Sequence, residues 1–103
     1  MIEKLQQLLE KNTFYKKMGT ATIDNISSSP KDIPNRSMKF DAMNELNLGR
    51  VVLWESGDMN FEILSIDSMD TVYTDNLSVS SESELIESIT KFFEKMNDAH
   101  GKI

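Results

Sequence analysis

Five carboxylates gather in one short stretch of this chain: Glu55, Asp58, Glu62, Asp67 and Asp70. Opposed acids can perform general acid–base chemistry or hold a hard cation, provided that they share a cleft and that one of them titrates abnormally. Strand phase argues against a shared cleft. With 50–55 and 59–67 as strands, Glu55 shares a side with Val51 and Leu53, Asp58 lies in the turn, and Glu62 projects away from Phe61 and Ile63. A solvated acidic rim is the expected arrangement.

The other ingredients of catalysis are sparse. Cysteine is absent, which removes disulfides, thiolate metal sites and a thiol nucleophile, and agrees with a reducing compartment. The one histidine, His100, stands in the polar tail Asn97-Asp98-Ala99-His100-Gly101, where fraying is the ordinary expectation. Serines are plentiful, but a nucleophilic serine needs a base and an orienting group. Gly19, Gly49, Gly57 and Gly101 are isolated, so no phosphate-cradling loop exists, and neither zinc nor EF-hand spacing occurs. No catalytic, metal or cofactor residue is expected, and the chain is read as a binding protein rather than an enzyme.

Trp54 is the most informative single residue. Tryptophan is enriched at interface hot spots ringed by polar groups, and it also serves in cores where its indole N–H is satisfied. Val51 and Leu53 share one face of 50–55, Val52 and Trp54 the other, so both faces are apolar. One is to be covered by helices; the other exposes Val52 and Trp54 unless something else covers it. Interface and core both remain open readings at this point.

Seventeen acids against eleven bases give a net charge of -6. Phosphate binding uses clustered Lys and Arg, whereas here Lys16-Lys17 is the only adjacent basic pair, so direct nucleic-acid binding is disfavoured. A negative surface can instead cover another protein's basic one, or it can simply keep a small protein soluble.

The elements that must position these residues follow from periodicity. Residues 2–18 place Ile2, Leu5, Leu8, Leu9, Phe14, Tyr15 and Met18 on one stripe, predicting an amphipathic helix that Gly19 ends and whose last turn Lys16 and Lys17 suit. Residues 20–26 are β-branched and read as a strand. Pro30 and Pro34 lie in a polar stretch, 27–37, read as a mobile loop. Met38, Phe40 and Ala42 alternate onto one side of a strand over 38–43, and 44–49 turns the chain. Strands over 50–55 and 59–67 flank the tight turn Ser56-Gly57-Asp58. A last strand covers 71–75, and the chain then passes through Asn76, Leu77 and Val79 towards the final helix. Ser81 and Glu84 form a capping box there, before an apolar face of Leu85, Ile86, Ile89, Phe92, Phe93 and Met96. Most of the seven methionines fall at core phase. The whole chain, 1–103, reads as one α+β domain: an antiparallel sheet of about five strands with the N-terminal and C-terminal helices packed on one face. No apolar run approaches a spanning helix, and the acids and glutamines of the first ten residues do not suit a signal segment, so a cytoplasmic protein without membrane contact is expected.

The run Gly49-Arg50-Val51-Val52-Leu53-Trp54-Glu55-Ser56-Gly57-Asp58, followed by Phe61-Glu62-Ile63-Leu64-Ser65-Ile66-Asp67, resembles the core segment of the bacterial TriTu immunity proteins. In that family a strand ending in Leu-Trp-Glu-Ser-Gly precedes one like Glu-Val-Leu-Asp-Val, and the start Ser81-Glu82-Ser83-Glu84-Leu85 resembles its closing helix. The resemblance runs from Gly49 to the end. It implies an immunity partner of a contact-dependent growth inhibition system, which binds the C-terminal nuclease domain of a cognate toxin in the producer's cytoplasm. The family is associated with tRNA-cleaving toxins that work with elongation factor Tu, which implies a ternary complex through the toxin. Trp54, Glu55, Asp58, Glu62, Asp67 and Asp70 are the expected toxin-binding residues, chosen for charge and aromatic content. The alternative from another class is a delivery chaperone or adaptor for a secreted effector with an acidic binding surface. A carboxylate-based hydrolase is the third.

Overall fold

The computed structural model describes residues 1–30 and 32–98; His100 lies outside them. The element order is α1 (Ile2–Glu10), β1 (Thr22–Ser28), β2 (Ser37–Met43), β3 (Asn47–Trp54), β4 (Asp58–Ser65), β5 (Thr71–Ser78) and α2 (Glu82–Met96). The five strands form one antiparallel sheet whose spatial order equals the chain order. This is the α+β meander that the alternation of apolar residues implies. Among the described residues, no helix is long and apolar enough to cross a membrane.

Both helices lie on the face that receives Met38, Phe40 and Ala42 of β2, Val51 and Leu53 of β3, and Met59, Phe61 and Ile63 of β4, all buried. α2 lays Leu85, Ile89, Phe92, Phe93 and Met96 onto that face. Five phenylalanines form its centre: Phe92 lies 5.3 Å from Phe93, 5.5 Å from Phe61 and 6.3 Å from Phe40. Each such side chain removed from water contributes roughly 1.5–3 kcal/mol. Gly49 leaves the room for this packing, since a Cβ there would sit 2.6 Å from both Phe92 and the Met96 sulfur.

The first helix is shorter than the stripe over 2–18 predicts. Asn12 takes a left-handed conformation, φ 54°, and the Thr13 N–H donates back to the Leu8 carbonyl, so the helix closes after Glu10. Turns carry the chain through 11–19. Phe14 is thereby swung into the core, 6.1 Å from Phe93, while Tyr15 is left 76% exposed. Lys16 and Lys17 therefore lie beyond the helix and cannot serve its dipole.

Boundaries shift elsewhere for similar local reasons. β1 takes in Ser27 and Ser28 and β2 takes in Ser37, leaving a connection from Ser29 to Arg36 that the Ser29 N–H closes by donating to the Ser37 carbonyl. β3 starts at Asn47, inside the predicted turn, because the Asn44 side chain makes that turn within three residues, accepting from the N–H groups of Leu46 and Asn47. β5 continues to Ser78 instead of stopping at Asp75. Its second half pairs Asn76 with Asn60 and Leu77 with Met59, so cross-strand pairing outweighs the weak strand preference of Asp75 and Asn76. The start of α2 is as expected: the Ser81 hydroxyl accepts from the Glu84 N–H. The Glu84 carboxylate reaches one residue further back than a simple capping box, to the N–H and hydroxyl of Ser80. Of the methionines, Met38, Met59 and Met96 are buried; Met43 and Met69 are more than half exposed.

Candidate functional site

Among the described residues, the second face of the sheet carries no helix. Register places residues across it in rows. One row joins Ser37 and Trp54 with Asp58 and Ser78; the next, Lys39, Val52, Asn60 and Asn76; the next, Asp24, Asp41, Arg50, Glu62 and Thr74. Along β3 the side chains of Val52 and Trp54 are half-buried on this face, and Leu48, also half-buried, lies beyond the exposed Arg50, so an apolar pair at one end is set among polar and charged columns. The indole N–H of Trp54 makes no hydrogen bond among the described residues. Of the two readings of Trp54, a core position under the helices is excluded by this placement.

At the Trp54 end, the rim is braced from two sides. The Glu55 N–H donates to the Arg36 carbonyl at 2.7 Å, and the Ser56 N–H to the Asn35 side chain at 3.0 Å, which ties the connection before β2 to the β3–β4 turn. Asp58 accepts from the hydroxyls of Ser78 at 2.6 Å and Ser56 at 3.0 Å, and these bonds hold its carboxyl below the ordinary carboxylate range. Gly57 turns the chain at φ 96°. The Nε of Arg36, in the same rim, is buried without a hydrogen-bond partner among the described residues.

The sheet does not bring the six expected residues together. Trp54 and Asp58 share the helix-free face at one end. Glu62, exposed as phase implies, lies two rows further along on that face, opposite Arg50 and Thr74. Glu55 turns to the helix side, where its carboxylate lies 3.1 Å from the Met1 ammonium and is held below its usual pKa by that contact. Asp67 and Asp70 occupy the β4–β5 hairpin at the far end. Eight strand residues put roughly 25 Å between the two ends of β4. The carboxylates therefore do not crowd one hairpin, and among the described residues no three His, Cys, Asp or Glu side chains are placed to hold a metal ion.

A group that sequence reasoning missed lies in the third row. Arg50 donates to Asp41 from Nε at 2.7 Å and Nη2 at 3.4 Å, and Asn25 donates to Asp41 at 3.0 Å. The Arg50 bond, chiefly, keeps Asp41 below its ordinary pKa, with the Asn25 bond assisting. With Asp24, Leu48, Glu62 and Leu64, these residues line a concavity of about 400 Å³. Asp41 and Arg50 stand on separate predicted strands, so only the register, which composition does not reveal, makes them neighbours.

Against known families, the model described as "Immunity protein TriTu" matches residues 3–95. The match takes in α1, β1 and the Ser29–Arg36 connection, extending well upstream of Gly49, and stops within α2. No curated protein matches the chain.

Proposed function

The chain belongs to the TriTu family of immunity proteins, and from that premise we propose that it neutralises a nuclease toxin by covering it with the helix-free side of its sheet. The observation that carries this reading is the apolar pair Val52 and Trp54, left uncovered by either helix and bordered by Asp58, with Arg50 and its cross-strand neighbour Glu62 in the row beyond Val52. An aromatic anchor in a polar ring is the arrangement expected of an interface centre. Carboxylates beside it suit a nuclease cleft built to receive phosphate, and long-range attraction speeds capture. Binding, not catalysis, is the role assigned to every one of these residues.

The family resemblance supports the finer statement. The toxin is read as a tRNA-cleaving domain delivered by contact-dependent growth inhibition, working with elongation factor Tu, which would join the complex through the toxin. Neutralisation would take place in the producer's cytoplasm. Co-expression with the toxin domain encoded by the neighbouring gene, followed by pull-down and a tRNA-cleavage assay, tests the reading. A stoichiometric complex with cleavage abolished is the expected result. A complex that still cleaves would point to a delivery adaptor, and no complex would refute the proposal.

A further inference from the structure

The charge of this chain is divided, and the meander turns that division into two flanks. All but Lys91, Lys95 and Lys102 of the eleven bases lie at or before Arg50. After Arg50 come Glu55, Asp58, Glu62, Asp67 and Asp70, then Asp75, Glu82, Glu84 and Glu87, before Lys91 is reached. Because spatial strand order equals chain order, this base-free stretch occupies the end of β3, all of β4 and β5, and the first half of α2. The net negative charge therefore belongs to the β4–β5 flank.

That flank ends in a free strand edge. Among the described residues, β5 pairs with β4 and with no other strand. The Val79 N–H donates to the Gly57 carbonyl at 2.9 Å and the Ser65 N–H to the Asp70 carbonyl at 3.0 Å, which fixes the parity of the ladder. Tyr73, Asp75 and Leu77 exchange their backbone bonds with β4, so the N–H and C=O groups of Thr74, Asn76 and Ser78 point outward. The opposite edge is blunted. β1 carries a bulge between Asp24 and Ser27, with Asn25 at φ 55° and its N–H turned onto the Asp24 carboxylate at 2.8 Å. β5 has neither proline nor lysine, and its one register shift is confined to its beginning.

We propose that the β5 edge receives an extended, Lys- or Arg-bearing strand of the toxin, which continues the sheet beyond its five strands; this rests on the toxin-binding reading above. Backbone pairing with Thr74, Asn76 and Ser78 supplies affinity that is indifferent to sequence. Charge selects the strand. Asp58 and Glu62 lie one strand in on the helix-free side, so bases on that face of an incoming strand find carboxylates and an acidic strand is repelled there. On the helix side Asp75 accepts from the Tyr73 hydroxyl and Lys95 lies over the Tyr73 ring, so that face selects less.

Amide hydrogen exchange, resolved by residue, tests the inference with the full chain and the neighbouring-gene toxin domain. On saturation, the amides of Thr74, Asn76 and Ser78 should slow by at least tenfold while those of β1 do not change. Asn76→Pro removes one outward donor and should weaken the complex by about tenfold or more, the scale of one backbone hydrogen bond with its orphaned partner. Asn76→Ala loses the same side-chain contact to Asn60 but keeps the N–H, and should bind within about threefold of the parent. A tight complex whose β5 amides exchange as in the free protein overturns the edge inference alone, as does equal binding by the two variants. Concentration-dependent protection of β5 without toxin would assign the edge to a second copy of this chain and also overturn it. Absence of any complex overturns both this inference and the proposed function. Should Asn76→Pro fail to fold, the exchange pattern of the parent protein still decides.

Discussion

Asn47 offers the sharpest test of how the sheet holds its second helix. It stands at the start of β3, 1% exposed, and its Nδ2 donates to the Met96 carbonyl at 2.7 Å and the Asp98 carbonyl at 3.0 Å. Asn44, in the turn before it, donates to the same Met96 carbonyl at 2.8 Å. The Met96 carbonyl is the last of α2 and has no partner within the helix, and the Asp98 carbonyl lies two residues beyond it. Asn47→Ala removes both of its donations. The Met96 carbonyl keeps Asn44, so the cost is the net worth of two hydrogen bonds, about 1 kcal/mol each, plus a small void: about 2 kcal/mol together. For a domain near this size each kcal/mol moves the midpoint of thermal unfolding by roughly 4–8 °C, so a fall of roughly 8–16 °C is expected. Urea unfolding should show a lower midpoint at an unchanged slope. Asn47→Asp is the stricter variant, because it sets a carboxylate oxygen against the Met96 carbonyl where a donor stood. It should be less stable than Asn47→Ala at neutral pH and should recover part of the difference in acid, as the carboxyl gains a proton to donate. A loss under about 0.5 kcal/mol for alanine, or an aspartate variant as stable as the alanine one, would refute the donor argument.

Three further outcomes follow from the same geometry. Gly57→Ala should cost at least about 2 kcal/mol, since φ 96° is strained for any L side chain and the new Cβ would press on the Val79 carbonyl oxygen; a calorimetric midpoint within about 2 °C of the parent would contradict it. Asp41, Glu55, Asp58 and Glu84 are all held below their ordinary pKa values of 3.8 or 4.5, so each contributes its stability in full above those values and loses it as pH falls through the lower folded-state value. Urea midpoints should therefore be level from neutrality to about pH 5 and fall steadily below about 4.5, and a fall already complete at pH 5 would exclude these four groups as its cause. Stopped-flow association with the toxin should slow by more than tenfold between about 0.01 M and 0.15 M salt, as the screening length shrinks from about 30 Å to about 8 Å; Glu55→Lys, Asp58→Lys and Glu62→Lys combined should slow it as much at low salt, and an unchanged on-rate would remove the β3–β4 hairpin from the capture surface.

What the sequence discloses and what it withholds divide along one physical line. Alternation disclosed the faces of β2, β3 and β4, because period-two burial is written in consecutive residues such as Met38, Phe40 and Ala42. Ser81 and Glu84 disclosed the start of α2 because a cap is local in sequence. Features that depend on a distant partner were withheld. The Asp41–Arg50 pair needs the β2–β3 register, and the twin asparagines look like turn residues until α2 ends above them. The stripe over 2–18 misled for a subtler reason. Phe14 is buried, as its phase implies, but a left-handed Asn12 brings it in through a turn, and periodicity does not distinguish the two routes. Among the candidate residues, Trp54 and Glu62 share the helix-free face as strand phase implies, and Asp58, expected in the turn, joins them as the first residue of β4. Glu55 lies on the helix side, as its phase with Val51 and Leu53 implies, whereas Asp67 and Asp70 sit in the β4–β5 turn, where phase has no hold, at the other end of the sheet.

The scatter looks different once the flank rather than the hairpin is taken as the unit. Trp54 and Asp58 lie in the same row as Ser78 of β5, and strands stand about 4.8 Å apart. A strand added at the β5 edge would thus lie about 10 Å from β4 and about 15 Å from β3, within the span of one ordinary interface. One basic partner can pair with the edge, lie across Asp58 and Glu62, and reach Trp54. The division of labour follows from range. On the proposed reading, carboxylates on the whole β4–β5 flank would act at a distance and govern encounter, so it would matter little that Asp67 and Asp70 lie far from Trp54. Trp54 and the outward amides of Thr74, Asn76 and Ser78 would act only in contact and govern escape. A surface that looks dispersed as a list of contacts is, on that reading, continuous as a field, with its short-range anchors at the apolar pair Val52 and Trp54 on β3 and, two strands away, at the β5 edge.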